Sequence, residues 1–277
     1  MSDRSLIKAP RIIAVTNQKG GVGKTTTAIN LASALIEQGC RVLVVDLDPQ
    51  GNASTGLGLE LEDRDYSTYD LLTGEADVGD IVVKTQWDGL WLSPATTDLA
   101  SADMELHDAD QRSFLLQKAL RSEDINDLEL DYILIDCPPS LSLLTVNAMV
   151  AADSVLVPLQ AEFFALEGLS QLMLSVREVR QGANPNLRIE GVVLTMYDVR
   201  NNLSQLVEAD ARATLGEIVF KTMIPRNVRI SEAPSYAQSV LHYDSGSRGA
   251  KAYRALAKEL LERHEGANRR GAHEQEA

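Results

Sequence analysis

The segment Gln18-Lys-Gly-Gly-Val-Gly-Lys-Thr-Thr26 sets glycines, lysines and threonines in one unbroken run. Glycine lets a backbone turn its N–H groups inward, and a helix N-terminus behind such a turn adds partial positive charge; together they cradle an anion. Gly20, Gly21 and Gly23 can supply the turn around Val22. Lys24 is spaced to reach the outer phosphates of a nucleoside triphosphate, and Thr25 to place its hydroxyl on Mg²⁺, with Thr26 closing the run. The standard phosphate-loop pattern asks for glycine where this chain has Gln18, and it does not ask for Lys19.

Carboxylates come next. Asp136 ends the apolar run Tyr132-Ile-Leu-Ile-Asp136, where a strand's carboxyl end beside a phosphate loop would hold Mg²⁺ through water. Asp46 and Asp48 stand in Val-Asp-Leu-Asp-Pro-Gln-Gly-Asn52, and strand alternation predicts both on one side, near the phosphates. Two carboxylates facing a triphosphate repel it unless a cation or water lies between them. Turn formation and helix capping are the alternative duties for such residues.

These groups need a scaffold. Residues 11–16 read as a buried strand, Thr25 to Gln38 as a helix stopped by Gly39, and residues 41–48 as a second strand. A strand–loop–helix–strand unit of this kind implies a parallel sheet. Further strands are expected at Leu90–Ser93, Tyr132–Asp136, 154–159, 191–196 and 219–224. Helices are expected at 101–120, 140–151, 167–181, 204–215 and 251–264. The alternation predicts an α/β fold: one doubly wound, mostly parallel sheet flanked by helices, in a single domain over residues 11–264. Residues 1–10 read as a short lead, 60–131 as an acidic surface excursion within the domain, and 265–277 as a polar, frayed tail.

The formal charge is −14, which at first sight argues against a nucleic-acid partner. All of that excess lies in residues 60–131, with 19 acids and 5 bases, and the rest of the chain holds 21 of each. Residues 177–260 carry 12 bases against 9 acids, so a positive face remains available there. Cys40 and Cys137 lack zinc-site spacing and read as reduced thiols. The first ten residues hold no signal-peptide run, and no stretch approaches the ~18 apolar residues of a membrane span, which predicts a soluble, cytoplasmic protein.

The form Lys-Gly-Gly-Val-Gly-Lys-Thr-Thr resembles the deviant Walker A family of P-loop ATPases. That family contains ParA partition ATPases, MinD-like division-site ATPases and the nitrogenase iron protein. The resemblance runs from Ile12 to about Leu261. Asp46–Asn52, Ile135–Ser140 and Ile-Pro-Arg-Asn-Val-Arg-Ile-Ser-Glu-Ala-Pro-Ser235 look like chromosomal ParA (Soj). It implies ATP and Mg²⁺ as cofactors, and an ATP-sandwich homodimer in which Lys19 reaches the partner subunit's nucleotide. Lys19, Lys24 and Asp48 would be the catalytic groups, with Asp48 orienting the attacking water. Thr25, Asp136 and Asp46 would serve the metal and its water shell, and Pro225 and Asn227 the adenine. Arg200 and Arg229 match positions that bind duplex DNA non-specifically.

The implied activity is ATP-dependent segregation of a chromosome or plasmid on the nucleoid, with hydrolysis stimulated by a ParB-like centromere-binding protein. The acidic excursion is an expected seat for that partner's basic segment, with Asp103, Glu105, Asp108 and Asp110 as its contacts. The alternatives are a MinD-like positioning ATPase on a membrane or protein scaffold and a metal-cluster carrier. A MinD-like protein should end in a basic amphipathic helix, and Glu265–Ala277 has no apolar face. A cluster carrier needs two well-placed cysteines, and neither Cys40 nor Cys137 is so placed. Only 18 residues precede Lys19, so the DNA-binding domain of larger plasmid ParA proteins is not expected.

Overall fold

Each apolar run read as a buried strand, except one, belongs to a single sheet. The strands are β1 (Arg11–Val15), β2 (Val42–Asp46), β3 (Val83–Lys84), β4 (Leu90–Ser93), β5 (Tyr132–Asp136), β6 (Ser154–Gln160) and β7 (Arg188–Thr195). Their order is β3-β4-β2-β5-β1-β6-β7, and every pairing is parallel save the short antiparallel β3–β4 edge. A computed structural model provides this description for residues 9–162 and 165–275. Most of the expected lead and the last two residues lie outside the described residues.

The period-two geometry of strands sorts the apolar side chains into two layers. Ile12, Ala14, Leu43, Val45, Ile133 and Ile135 face one layer, completed by Leu144 and Ala148 of the helix Leu143–Ala151 and by Leu169, Leu172 and Val176 of the helix Ala165–Gly182. Ile13, Val15, Val42, Val44 and Leu134 face the other. That side is covered by the helix Lys24–Glu37, here α1, and by the last helix through Tyr253, Leu256 and Leu260. Because both sheet faces are covered, β2 and β5 are buried along their whole length.

Three expectations need correction. Residues 219–224 run beside β7 and make only isolated bridges, Val192 to Val219 and Tyr197 to Pro225. Between those bridges the N–H groups of Lys221 and Thr222 donate to the Glu259 carboxylate at 2.8 and 2.9 Å, so the ladder is interrupted by a side chain. The expected helix 101–120 is broken into Ala102–Glu105, a 3-10 turn at Arg112–Phe114 and Leu115–Leu120. Asn147 breaks it: its amide donates to Arg112 O and its oxygen accepts from Leu116 N, while Gln111 turns left-handed. The last helix starts earlier and ends later than expected, at Arg248–Gln275, through the segment read as a frayed tail. That segment has no proline to stop a helix and is rich in Ala, Arg and Glu, all good helix formers.

At their amino ends the strands are tied to the last helix by buried polar groups. His264 bonds the Tyr132 hydroxyl through Nδ1 at 2.9 Å and Glu190 through Nε2 at 2.8 Å, and Glu190 also accepts from Ser154 at 2.6 Å. Burial alone would raise the Glu190 carboxyl, but the His264 and Ser154 bonds outweigh it and hold the group below its ordinary range.

Gly191 in β7 has no room for a side chain: a Cβ there would meet the Phe220 ring and lie 2.8 Å from Ile218 O. Gly191→Ala should therefore lower the unfolding free energy in urea by about 1–3 kcal/mol, the usual cost of overpacking. An unchanged midpoint would mean that the segment 218–220 yields freely.

Candidate functional site

The chain crosses from β1 to β2 on one side and later from β5 to β6 on the other, so the sheet's switch point lies at the carboxyl ends of β1 and β5. Ligands of open α/β sheets bind at such points. The glycine run sits there. Gly21 and Gly23 have φ of 74° and 88°, a left-handed backbone that favours glycine, and Gly23 starts α1 with no side-chain cap. The first turn of α1 carries no acid, so its amides meet neither a cap nor a counter-charge. A helix start left in this way is a ready anion site.

The loop is shaped by partners far away in sequence. Asn17 donates to Pro158 O at 2.8 Å and accepts from Lys19 N at 3.1 Å, and the Thr195 hydroxyl donates to Val22 O at 2.8 Å. Lys24 is buried, with its ammonium 3.2 Å from Lys19 O. Burial pushes this lysine below its ordinary range, against the pull of Asp136, Cys137 and Asp48. Lys19 points elsewhere: its ammonium pairs with Glu162 at 2.8 Å, both groups being about half exposed.

Asp46 and Asp136 are register partners across β2 and β5, and both are fully buried. Their situations differ. Asp46 accepts from Ser54 N at 2.8 Å, Ser54 Oγ at 2.7 Å and Asp48 N at 3.2 Å. Burial still lifts it to about 6. Both carboxylate oxygens of Asp136 are buried without a hydrogen-bond partner. Burial first, then the charges of Asp46 and Asp48, push Asp136 well above the carboxylate range, with Thr25 and Lys24 pulling the other way.

Asp48 lies beyond the end of β2, so strand alternation does not govern it as the sequence suggested. It accepts from Gln50 N at 3.0 Å in a turn. A buried carboxylate with orphaned oxygens beside Thr25, Lys24 and an uncapped helix start fits a cation held between Asp136 and a bound phosphate. Among the described residues no three His, Cys, Asp or Glu side chains converge as a ready-made metal site.

Pro225 and Asn227 line a cavity of about 440 Å³ that opens against Gly23 and Thr26 and has Thr195, Val228 and Tyr253 in its wall. Asn227 Oδ1 is spent on the N–H of Arg229, which leaves its amide NH₂ for a ligand. The cavity thus continues the glycine cradle with an apolar slot carrying a hydrogen-bond donor.

The two arginines picked from sequence lie on adjoining segments, joined by the Tyr197–Pro225 bridge and by Arg226 N to Tyr197 O at 3.0 Å. Both are exposed, and both are paired. Arg200 forks onto Asp198 at 3.0 Å, and Arg229 lies between Glu232 at 2.9 Å and Asp244 at 3.3 Å. Two of the acids singled out in the excursion are structural: Asp103 accepts from Leu143 N at 2.9 Å, and Glu105 receives the Tyr69 hydroxyl. The thiols form no disulfide; Cys137 is buried and Cys40 partly so, and burial raises Cys40 to about 11. Ser54, Thr195 and Glu162 escaped the sequence reading. Each acts on a partner in another element, and no local pattern marks such contacts.

A family model described as "AAA domain" matches residues 10–189. The chain is 55% identical over 253 residues to the chromosome partitioning protein ParA of Caulobacter vibrioides, covering 91% of this chain and 94% of that protein. It is 52% identical over 250 residues to the sporulation initiation inhibitor protein Soj of Bacillus subtilis, covering 90% and 98%. Among solved structures, cobyrinic acid a,c-diamide synthase from Mycobacterium smegmatis with ADP and magnesium superposes with a TM-score of 0.80 at 38% identity, covering 93% and 96%. The cell division ATPase MinD of Pyrococcus furiosus does so with a TM-score of 0.73 at 31% identity, covering 91% and 98%.

Ser54 fixes the loop that carries Asp48, since its hydroxyl donates to Asp46 and accepts from Ala95 N at 3.0 Å. Ser54→Ala should cost about 1–3 kcal/mol in urea unfolding, because it leaves the buried Ala95 N–H unmatched and Asp46 Oδ2 with the Ser54 N–H as its one remaining donor. Amide exchange at Ala95 should speed up in step. Exchange that stays slow at Ala95 would place the anchor of this loop elsewhere.

Proposed function

Because the chain belongs to the ParA/Soj family of chromosome-partitioning ATPases, we propose that it is a Mg²⁺-dependent ATPase whose ATP-bound dimer holds DNA and lets go on hydrolysis. The observation that carries this reading is the uncapped start of α1 behind Gly21 and Gly23, with buried Lys24 and the unsatisfied Asp136 facing it.

ATP lies with its phosphates in the cradle of residues 19–26 and its adenine in the cavity of Pro225 and Asn227. Phosphate charge suits a buried ammonium and free helix amides better than water does, once the site is dry. Mg²⁺, when bound with the nucleotide, would supply positive charge to offset that of the phosphates. Thr25 and Asp136 are the residues that would hold it. Asp46 has both oxygens engaged, so its part is to position the loop bearing Asp48 rather than to serve the metal. Asp48, with one oxygen bound only by the Gln50 amide, orients the attacking water.

Lys19 joins two subunits. Its exposed pair with Glu162 is of a kind that contributes about 0–1 kcal/mol, so a partner subunit's phosphate draws it away at little cost. DNA is held by Arg200 and Arg229, whose carboxylate partners are likewise at the surface and easily exchanged. A two-fold dimer doubles this small patch, which makes DNA binding conditional on ATP. A ParB-like protein on centromere-like sites stimulates hydrolysis, so the ATPase is lost from the nucleoid around its cargo. A MinD-like attachment to membrane finds no support in the last helix. Its apolar side, with Tyr253, Leu256 and Leu260, is buried against α1, and no described helix is long and apolar enough to cross a membrane.

Three variants separate the steps. Lys24→Ala should abolish ATP binding in calorimetry. Asp48→Ala should keep the ATP-bound dimer on DNA while turnover falls by about a hundredfold or more, the usual loss when a proton-handling group goes. Normal turnover in that variant would remove Asp48 from the mechanism. Arg229→Glu should bind ATP normally and lose DNA in a filter-binding assay. With four arginines per dimer, the logarithm of wild-type affinity should fall with that of salt at a slope of about −3 to −4.

A further inference from the structure

We propose that a second cavity, beside the one formed by Pro225 and Asn227, binds the phosphate group of a further ligand. It measures about 440 Å³ and opens between the ends of β6 and β7 and the start of the helix Asn202–Leu215. Met196 and Arg226 belong to its wall and also to the wall of the Pro225 and Asn227 cavity, so the two are neighbours. Met196 has φ of 50°, a left-handed backbone that favours glycine. Strain of this kind gathers at ligand sites.

Ser204 points to the ligand most directly. It is 3% exposed and lines the cavity, and its hydroxyl has no hydrogen-bond partner among the described residues. Side-chain polar groups buried to this degree are normally matched, and a ligand oxygen would match this one. Ser204 stands in the first turn of its 14-residue helix, and that turn carries no acid. The positive end of the helix is therefore open to an anion. Asn201 caps the helix through Oδ1, which accepts from Leu203 N at 2.9 Å, so its NH₂ remains to donate into the cavity.

The charges in the wall select an anion. Two carboxylates line the cavity, and both are already paired. Arg200 forks onto Asp198 and holds its carboxyl down to about 2, and Glu162 pairs with Lys19 at 2.8 Å. Arg226 is exposed and has no ion pair among the described residues, so the lining charge left for a ligand is positive. A guanidinium, an amide NH₂, a hydroxyl and a helix start together match a group whose oxygens accept several hydrogen bonds at once, as those of phosphate do. A metal cation would be repelled by the same groups. Met196 and Leu203 supply apolar wall, and the volume suits a phosphate monoester with a ring-sized body. Such binding does not depend on a nucleotide in the glycine cradle.

The test is calorimetric titration of the full chain with phenyl phosphate, with phenol as the counter-probe. One arm uses the wild-type chain saturated with ADP and Mg²⁺, and the other uses Lys24→Ala without nucleotide, so binding in the glycine cradle is removed in two independent ways. Phenyl phosphate should bind in both arms, and phenol in neither. Ser204→Ala and Arg226→Gln should each weaken binding about tenfold or more, the usual loss of a hydrogen bond to a charged group. Lys251→Gln, which does not line the cavity, should leave it intact. Because the Ser204 hydroxyl has no partner, Ser204→Ala should also keep the wild-type thermal midpoint. Filter binding of duplex DNA with ATP then identifies the source of the phosphate. Unchanged DNA affinity in Ser204→Ala assigns the site to a free monoester, and a parallel loss assigns it to the DNA backbone; either result keeps the site. Wild-type affinity for phenyl phosphate in both cavity variants, an absence of binding, or equal binding of phenol would overturn the proposal. So would a lowered midpoint in Ser204→Ala, because the serine would then be structural.

Discussion

The structure is organised around buried carboxyl groups at one end of the sheet. Asp46 and Asp136 are neighbours across β2 and β5, both fully buried, with Asp48 close enough to act on Asp136 and on the single ammonium of Lys24. Burying a carboxylate without partners is among the costliest things a fold can do. The chain resolves the conflict for one of the two only: Ser54 and the Asp48 amide satisfy Asp46, while Asp136 keeps two orphaned oxygens. A phosphate-bound cation, as proposed above, would offset the remaining deficit.

Those ties reach across the whole molecule. Thr195 at the end of β7 holds the Val22 carbonyl, and Asn17 reaches Pro158 in β6, so two further strands set the loop's shape. Behind it α1 is clamped by the last helix, through the Tyr253 and Thr27 hydroxyls at 3.5 Å and through Arg254 forked onto Glu37 at 2.6 and 2.8 Å. The same helix reaches the far side of the sheet, where His264 bonds Tyr132 and Glu190. One long element thus spans from the amino ends of the strands to the start of α1.

Much of this was legible before any coordinates. The unit from β1 through the glycine run to β2 is marked by local chemistry: β-branched runs, glycines that need left-handed φ, and an amphipathic helix that follows. Asp136 was legible for the same reason, as the polar end of an apolar run. What escaped depends on partners distant in sequence. Glu259 interrupts the strand expected at 219–224, and Asn147 breaks the helix expected at 101–120, each by capturing backbone groups from another element. The occupation of the Asp46 carboxylate by Ser54, eight residues on, is another contact that no local pattern marks. The polar end of the last helix carries no apolar stripe, so periodicity could not reveal it. Arg200 and Arg229 are exposed, but their pairing with Asp198 and Glu232 is a matter of turn geometry that composition does not report.

The proposed DNA-holding function is compatible with a total charge of −14 if a small arginine face is doubled by dimerisation and switched by nucleotide. A gel-shift of duplex DNA of arbitrary sequence with the wild-type chain and Mg²⁺, run with ATP, with ADP and without nucleotide, tests this most directly. Retardation with ATP alone, abolished by raised salt, is the predicted result. Equal retardation in all three lanes, or none in any, would contradict it.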